Sequence, residues 1–217
     1  MKQKKIVWDL PVRLFHWVLV VLFAAAWLTA EQGPAWMDRH MQVGYSIMAL
    51  VLFRLLWGLY GSDQAKFVTF LRGPGKVFAY VKNLLRSGAD QSVGHNPLGG
   101  WSVVAMLSLL LFQASTGLFA NDDIYNEGPL TGWVSNATSG LLTKIHKLNF
   151  NLLLAIIAIH VVAVLAYLLV KKENLIKPMF SGFKELEAHQ PASRQRPWWL
   201  ALVTLLACGA AVGWLVL

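Results

Sequence analysis

The sequence predicts an all-α membrane protein, a four-helix transmembrane bundle with a fifth transmembrane helix appended, and three observations lead there. Of 217 residues, 56% are hydrophobic and only 14% charged, with a mean hydropathy of +0.51, outside the balance of soluble domains. The apolar residues collect in five long runs, at about 14–30, 40–60, 98–120, 141–170 and 198–217, each close to the roughly 20 residues a helix needs to cross a bilayer. No strand-like alternation persists, and membrane strands would need a closed barrel of many more segments.

The first run follows MKQKK, as a secretory leader would. It is longer than a leader's apolar core, and WLTAEQ is a poor small-x-small cleavage site, so it is expected to be a retained span. After the second run, residues 61–97 form the longest connection, with Lys66, Arg72, Lys76, Lys82 and Arg86 against Asp63 and Asp90. That basic excess assigns the loop to the cytoplasm. Inside it, GPGKVFAYVKNLLRSG spaces apolar and basic residues as a short interfacial helix would, with a solvated connector as the plainer alternative.

The connection 31–39 is nearly neutral, and 121–139 carries Asp122, Asp123 and Glu127 with no Lys or Arg, so both belong outside. Residues 171–197 bring Lys171, Lys172, Lys177, Lys184, Arg194 and Arg196 back inside. The N-terminus is then cytoplasmic and the C-terminus periplasmic. The expected division is a four-helix domain over 1–180, with the cytoplasmic segment 61–97, followed by a cytoplasmic linker and the fifth helix over 181–217. The formal charge of +8 is explained by these loops, which excludes nucleic acid as a partner and leaves the lipid bilayer.

Four of the six histidines sit in or at the edge of apolar runs: His16, His40, His146 and His160. Imidazole is the commonest metal ligand, and an ionisable group inside a span is a functional hypothesis by default. Fourteen residues separate His146 from His160, a turn of about 1400° and a rise of about 21 Å, so both face one way at two depths. With the topology above, His160 lies at the depth of His16, near the cytoplasm, and His146 at that of His40, near the outside. The one depth-matched arrangement pairs His16 with His160 and His40 with His146, which makes the bundle a holder of two stacked haems with bis-histidine iron. The single cysteine, Cys208, lies in an apolar run, so the haem attachment must be non-covalent. His95 and His189 fall in polar loops and are expected to be solvated, although His95 stands at the entry to the third run.

Each haem carries two propionates, so cations at the membrane edges are candidate partners. Arg13 precedes His16 by three residues, and Arg54 follows His40 by fourteen, which returns it to the cytoplasmic level. Arg54 serves either a propionate of the inner haem or the interface, by snorkelling. Lys144 and Lys147 flank His146 and are candidates for the outer propionates or for an anionic ligand. Gly44, Gly58, Gly99, Gly100 and Gly117 would admit a macrocycle or simply another helix. Gln113, Ser115 and Thr116 are expected to bond between helices, and Trp8, Trp17, Trp36, Trp57, Trp101, Trp133, Trp198 and Trp199 to form interfacial belts.

Five stretches carry a family likeness: VWDLPVRLFHW, FRLLWGLYGS, GHNPLGG, TGLF and KIHKLNFNLLLAIIAIHVVAVL. In this order, over about residues 6–180, they resemble the prokaryotic cytochrome b561 family, which includes the b-type cytochrome subunits of nickel-iron hydrogenases. The resemblance implies haem b, with His16, His40, His146 and His160 at the ligand positions. It also implies electron transfer in the bacterial inner membrane between the quinone pool and a periplasmic partner, a c-type cytochrome or a hydrogenase-like oxidoreductase subunit. Lys147, Asn149, His95 or Asn96 could meet a quinone headgroup. The fifth span departs from four-helix members. Two other functions stay open: a superoxide oxidase delivering electrons to quinone, and a non-redox scaffold or proton relay.

Overall fold

Asp9 begins the first membrane helix, α1 (Leu10–Glu31), by accepting the Val12 N–H at 2.8 Å, with Pro11 in the first turn where its missing donor costs nothing. This computed structural model describes residues 1–84, 92–122, 125–190 and 192–217. Ahead of α1 runs a short strand, β1 (Lys2–Ile6). Helix α2 (Met37–Tyr60) is followed by the single turn α3 (Phe67–Phe70) and by α4 (Pro74–Asn83), which realises the helix expected in the long basic connection. The end of that expected segment, 85–88, lies outside the described residues.

Helix α5 (Pro97–Gly117) starts with Asn96 as cap, its Oδ1 accepting the Gly99 N–H at 2.7 Å. The 34-residue α6 (Asn136–Leu169) is capped by Ser135. A short α7 (Ile176–Ser181), the strand β2 (Phe183–Glu187) and α8 (Trp198–Val216) complete the chain. The five spans α1, α2, α5, α6 and α8 match the five apolar runs within a few residues at each end, because only a helix satisfies every backbone group within itself in a bilayer.

Strands were not anticipated, yet β1 and β2 pair antiparallel, Lys2 opposite Glu187 and Ile6 opposite Phe183. The Lys5 ammonium reaches the carbonyl of Ala188 at 2.8 Å. On the same end of the bundle, Asp63 Oδ2 accepts the Arg194 N–H at 3.1 Å, and Lys184 bonds both the Ser92 carbonyl and the Glu173 carboxylate at 2.9 Å. The three basic segments assigned to one side of the membrane therefore meet at one end of the molecule. Five-residue strands at a chain terminus carry too little alternation to be read from the sequence.

The main core lies between α1, α2, α5 and α8, with Phe15, Val51, Phe53, Trp57, Leu107 and Cys208 inside. Helix α8 packs along α2, and Tyr60 and Thr204 share a hydroxyl–hydroxyl bond there. A smaller cluster of Met48, Leu118, Leu130 and Val212 closes the other end. Of the whole length of α6, only Ser139, Asn149, Leu153 and Tyr167 are buried. Its contacts run to α5, and Phe150 reaches Phe23 and Trp27 of α1.

Candidate functional site

His40 enters from the first turn of α2, and its Nδ1 lies 2.9 Å from the carbonyl oxygen of Ala26 on α1. A carbonyl only accepts, so Nδ1 carries the proton and Nε2 is left as the ligating nitrogen. His146 on α6 repeats the device: its Nδ1 lies 3.0 Å from the Gln113 carbonyl of α5 and 3.2 Å from the Thr116 hydroxyl. Orientation of a ligand imidazole by such a bond is the usual support for metal-binding histidines. The two ring centres stand 6.3 Å apart with planes at 82°. An imidazole nitrogen lies about 1.2 Å from its ring centre and binds a transition metal at about 2 Å, so two trans rings on one metal sit about 6 Å apart.

The second pair stands at the other depth. His16 on α1 and His160 on α6 are half-buried and within electrostatic reach of each other. Trp17 lies edge-on to His16 at 4.8 Å. The Nδ1 of His16 is buried and makes no hydrogen bond among the described residues. His40 and His146 are in ring contact, whereas among the described contacts His16 and His160 are linked by their fields alone.

His95 departs from expectation. Its ring is held between Trp8 at 4.7 Å and Phe70 at 4.6 Å, and it lies within the field of Arg54, His16 and His160. Burial, with the Arg54 charge second, pulls its pKa from 6.5 to about 3, so the ring is neutral at physiological pH. The solvated-loop reading of His95 is therefore wrong. The loop folds back under the bundle because Asn96 caps α5 and donates to the Tyr167 hydroxyl at 3.0 Å. The Gly-His-Asn-Pro string marks that turn, but nothing in it shows which way the imidazole faces. His189, by contrast, is exposed in the turn after β2, as expected.

Arg54 is 2% exposed, so it does not snorkel. Its guanidinium lies 5.3 Å from the Phe67 ring and within the field of Asp9, and Nη1 is buried without a partner. Asp9 is the functional neighbour that sequence reasoning missed: it is 5% exposed, and its Oδ2 accepts from Trp57 Nε1 at 2.8 Å. Trp57 and Trp8 are accordingly buried and belong to no belt, whereas Trp101, Trp133, Trp198 and Trp199 are exposed. Arg13 donates to the Phe180 carbonyl, and its Nε is buried without a partner.

Lys144 and Lys147, one helical turn apart and exposed, line a cavity of about 440 Å³ with Asn121, Asp122, Asn136 and Thr143. His146 turns instead toward His40 and α5. Asn149 is buried and donates to the Leu109 carbonyl at 3.1 Å and to Gln113 Oε1 at 2.7 Å. Its NH2 group joins α6 to α5, which gives Gln113 the interhelical role expected of it. Gly58 and Gly100 pack on Phe67 and Phe70, and Gly117 on His146, while a Cβ at Gly44, one turn beyond His40, would meet open space. Two imidazole pairs at two depths, orphaned cationic and imidazole nitrogens beside one pair, and open space over Gly44 fit two macrocycles carrying carboxylates.

No solved structure matches the chain. Curated relatives do: it is 26% identical to a probable Ni/Fe-hydrogenase B-type cytochrome subunit from Rhizobium leguminosarum bv. viciae, over 86% of this chain and 92% of that one. It is 27% identical to the protein of the same description from Azotobacter vinelandii, over 85% and 90%. Residues 7–182 match the family described as prokaryotic cytochrome b561. Together with the five spans, that match makes the chain a haem-binding b-type cytochrome and a member of the prokaryotic cytochrome b561 family.

Proposed function

We propose that the protein is a dihaem cytochrome that carries electrons across the bacterial inner membrane between the quinone pool and a hydrogenase-like or c-type cytochrome partner on the periplasmic side. The observation that carries this reading is the His40–His146 pair, whose 6.3 Å separation and carbonyl-bonded Nδ1 atoms suit two axial ligands of one iron. His16 and His160 would hold the second, cytoplasmic-side haem, and Arg54 and Arg13 would serve its propionates. When bound, haem supplies reversible one-electron chemistry at iron. Held by two histidines each, such centres would be suited to electron transfer, and the chain's task would be to keep them at fixed depths in a dry interior.

The N-terminus and the described parts of 61–97 and 171–197 gather on one end, which by its Lys and Arg content is the cytoplasmic one in this reading. The relatives' descriptions favour a hydrogenase as the partner. A second reading, oxidation of superoxide with electrons passed to quinone, is favoured by the exposed Lys144–Lys147 cavity, which attracts small anions near the outer pair.

The test is spectroscopic first. Purified protein is expected to contain two b-type haems per chain, reducible by a quinol analogue, and a protein without a reducible b-type signal would leave only the scaffold or proton-relay role. Turnover with superoxide and quinone alone would establish the second reading, and turnover only with a protein donor or acceptor would establish the first.

A further inference from the structure

The cytoplasmic-side pair has neighbours whose polar groups the fold leaves unanswered. Arg54 is 2% exposed with Nη1 unpartnered, and the Nδ1 of His95 is enclosed without a partner. His95 lies in the field of Arg54, His16 and His160. A buried polar nitrogen left without an acceptor is costly in a protein interior, and here a guanidinium and an imidazole each carry one.

Asp9 puts a negative charge in the field of Arg54 but leaves its Nη1 without an acceptor. Asp9 has one oxygen on the Val12 N–H and the other on Trp57 Nε1–H, at 2.8 Å each. Arg54 makes no ion pair among the described residues. Around the two donors the walls are Trp8, Phe67 and Phe70. One fixed cation and one neutral imidazole donor in an aromatic cage select a group with a negative charge and two acceptor oxygens, which is a carboxylate.

We propose that His95 and Arg54 together form the subsite for one propionate of the cytoplasmic-side haem, so that a residue between spans, not on any ligand-bearing helix, sets that haem's charge balance. This rests on the dihaem reading above. His95 binds by donating a hydrogen bond and Arg54 by charge, and Phe70, against His95, and Phe67, against Arg54, lie in ring contact between them. Trp8 and Phe70 exclude water from the carboxylate, which strengthens its pull on the iron's oxidised state once Arg54 is removed.

The experiment is a haem-resolved redox titration of the purified holoprotein and its R54Q, H95Q and double variants. R54Q is expected to make the cytoplasmic-side haem about tenfold harder to reduce at a fixed potential, a shift of about 59 mV. H95Q shifts it the same way by about threefold, and the double variant shifts it by less than the two effects combined, because they share one carboxylate. The outer haem stays put. In protein reconstituted with haem whose carboxylates are esterified, H95Q loses its effect.

Unchanged potentials in both single variants, shifts confined to the other haem, or an H95Q effect that survives esterification would overturn the proposal while leaving two haems in place. Wild-type protein with fewer than two haems would instead sink the reading on which it rests. If R54Q yields no folded protein, the H95Q measurements with native and esterified haem decide alone.

Discussion

The two histidine pairs are built on different principles. At the outer level each ring is fixed by a main-chain carbonyl from a third helix: His40 of α2 by Ala26 of α1, and His146 of α6 by Gln113 of α5. At the inner level His16 has no such support, and Arg13, Arg54 and His95 beside it also carry unpartnered nitrogens. A backbone carbonyl on a helix orients a ligand before any cofactor arrives, whereas a set of orphaned donors is completed by what binds. On the proposed dihaem reading, one site would be set by the fold and the other finished by its ligand's own carboxylates. That difference has a counterpart in the surroundings: Gly44 near the outer pair faces open space, while the inner end is packed with Trp8, Trp57, Phe67 and Phe70.

The largest effect comes from removing a ligand. H40A and H146A are each expected to cut the haem content from two to one per chain and to lose the same spectral component. H16A and H160A lose the other. Haem quantification with a redox titration checks this. A shared loss by H16A and H146A would break the comparison at its root, because those two residues sit at different depths on α1 and α6.

Next in size is the inner frame. Asp9→Ala removes the cap of α1, worth about 1 kcal/mol, and leaves the buried Trp57 Nε1 unanswered at about 1–3 kcal/mol, so a loss of about 2–4 kcal/mol in all is expected. Thermal unfolding in detergent measures it, and the inner haem's absorbance should fall before the outer one's. Simultaneous loss of both signals would show that α1's start supports the two sites equally and that the inner site has no frame of its own.

Much of this was legible in the chain, and the division between what was and was not is physical. The spans follow from a rule with almost no exceptions, that backbone in a bilayer must bond to itself. His95 was misjudged because a loop residue's direction is set by tertiary contacts, here Trp8 and Phe70, that lie 87 and 25 positions away. Asp9 was overlooked because a carboxylate before a helix reads as an ordinary cap, and its second oxygen's bond to Trp57 spans 48 positions. The β1–β2 pairing joins the chain's beginning to residues 183–187, a separation that no local pattern encodes.

The smallest expected effect sharpens the comparison most, because it touches only ring orientation. A Cβ at Gly117 would lie 3.1 Å from Cε1 of His146 and 3.4 Å from its Nδ1, closer than such contacts normally come. In G117A the imidazole must retreat by a few tenths of an ångström, which lengthens its 3.0 Å bond to the Gln113 carbonyl without removing it. The stability cost should stay within about 1 kcal/mol, since the bond's whole net worth is of that order. If the carbonyl is what presets the outer site, G117A shifts the outer haem's absorption and potential slightly and leaves the inner haem untouched. A variant whose outer haem is unaltered while its ring has moved would show that the ligand field is indifferent to that bond, and the outer site would then differ from the inner one only in its neighbours, not in how its ligands are held.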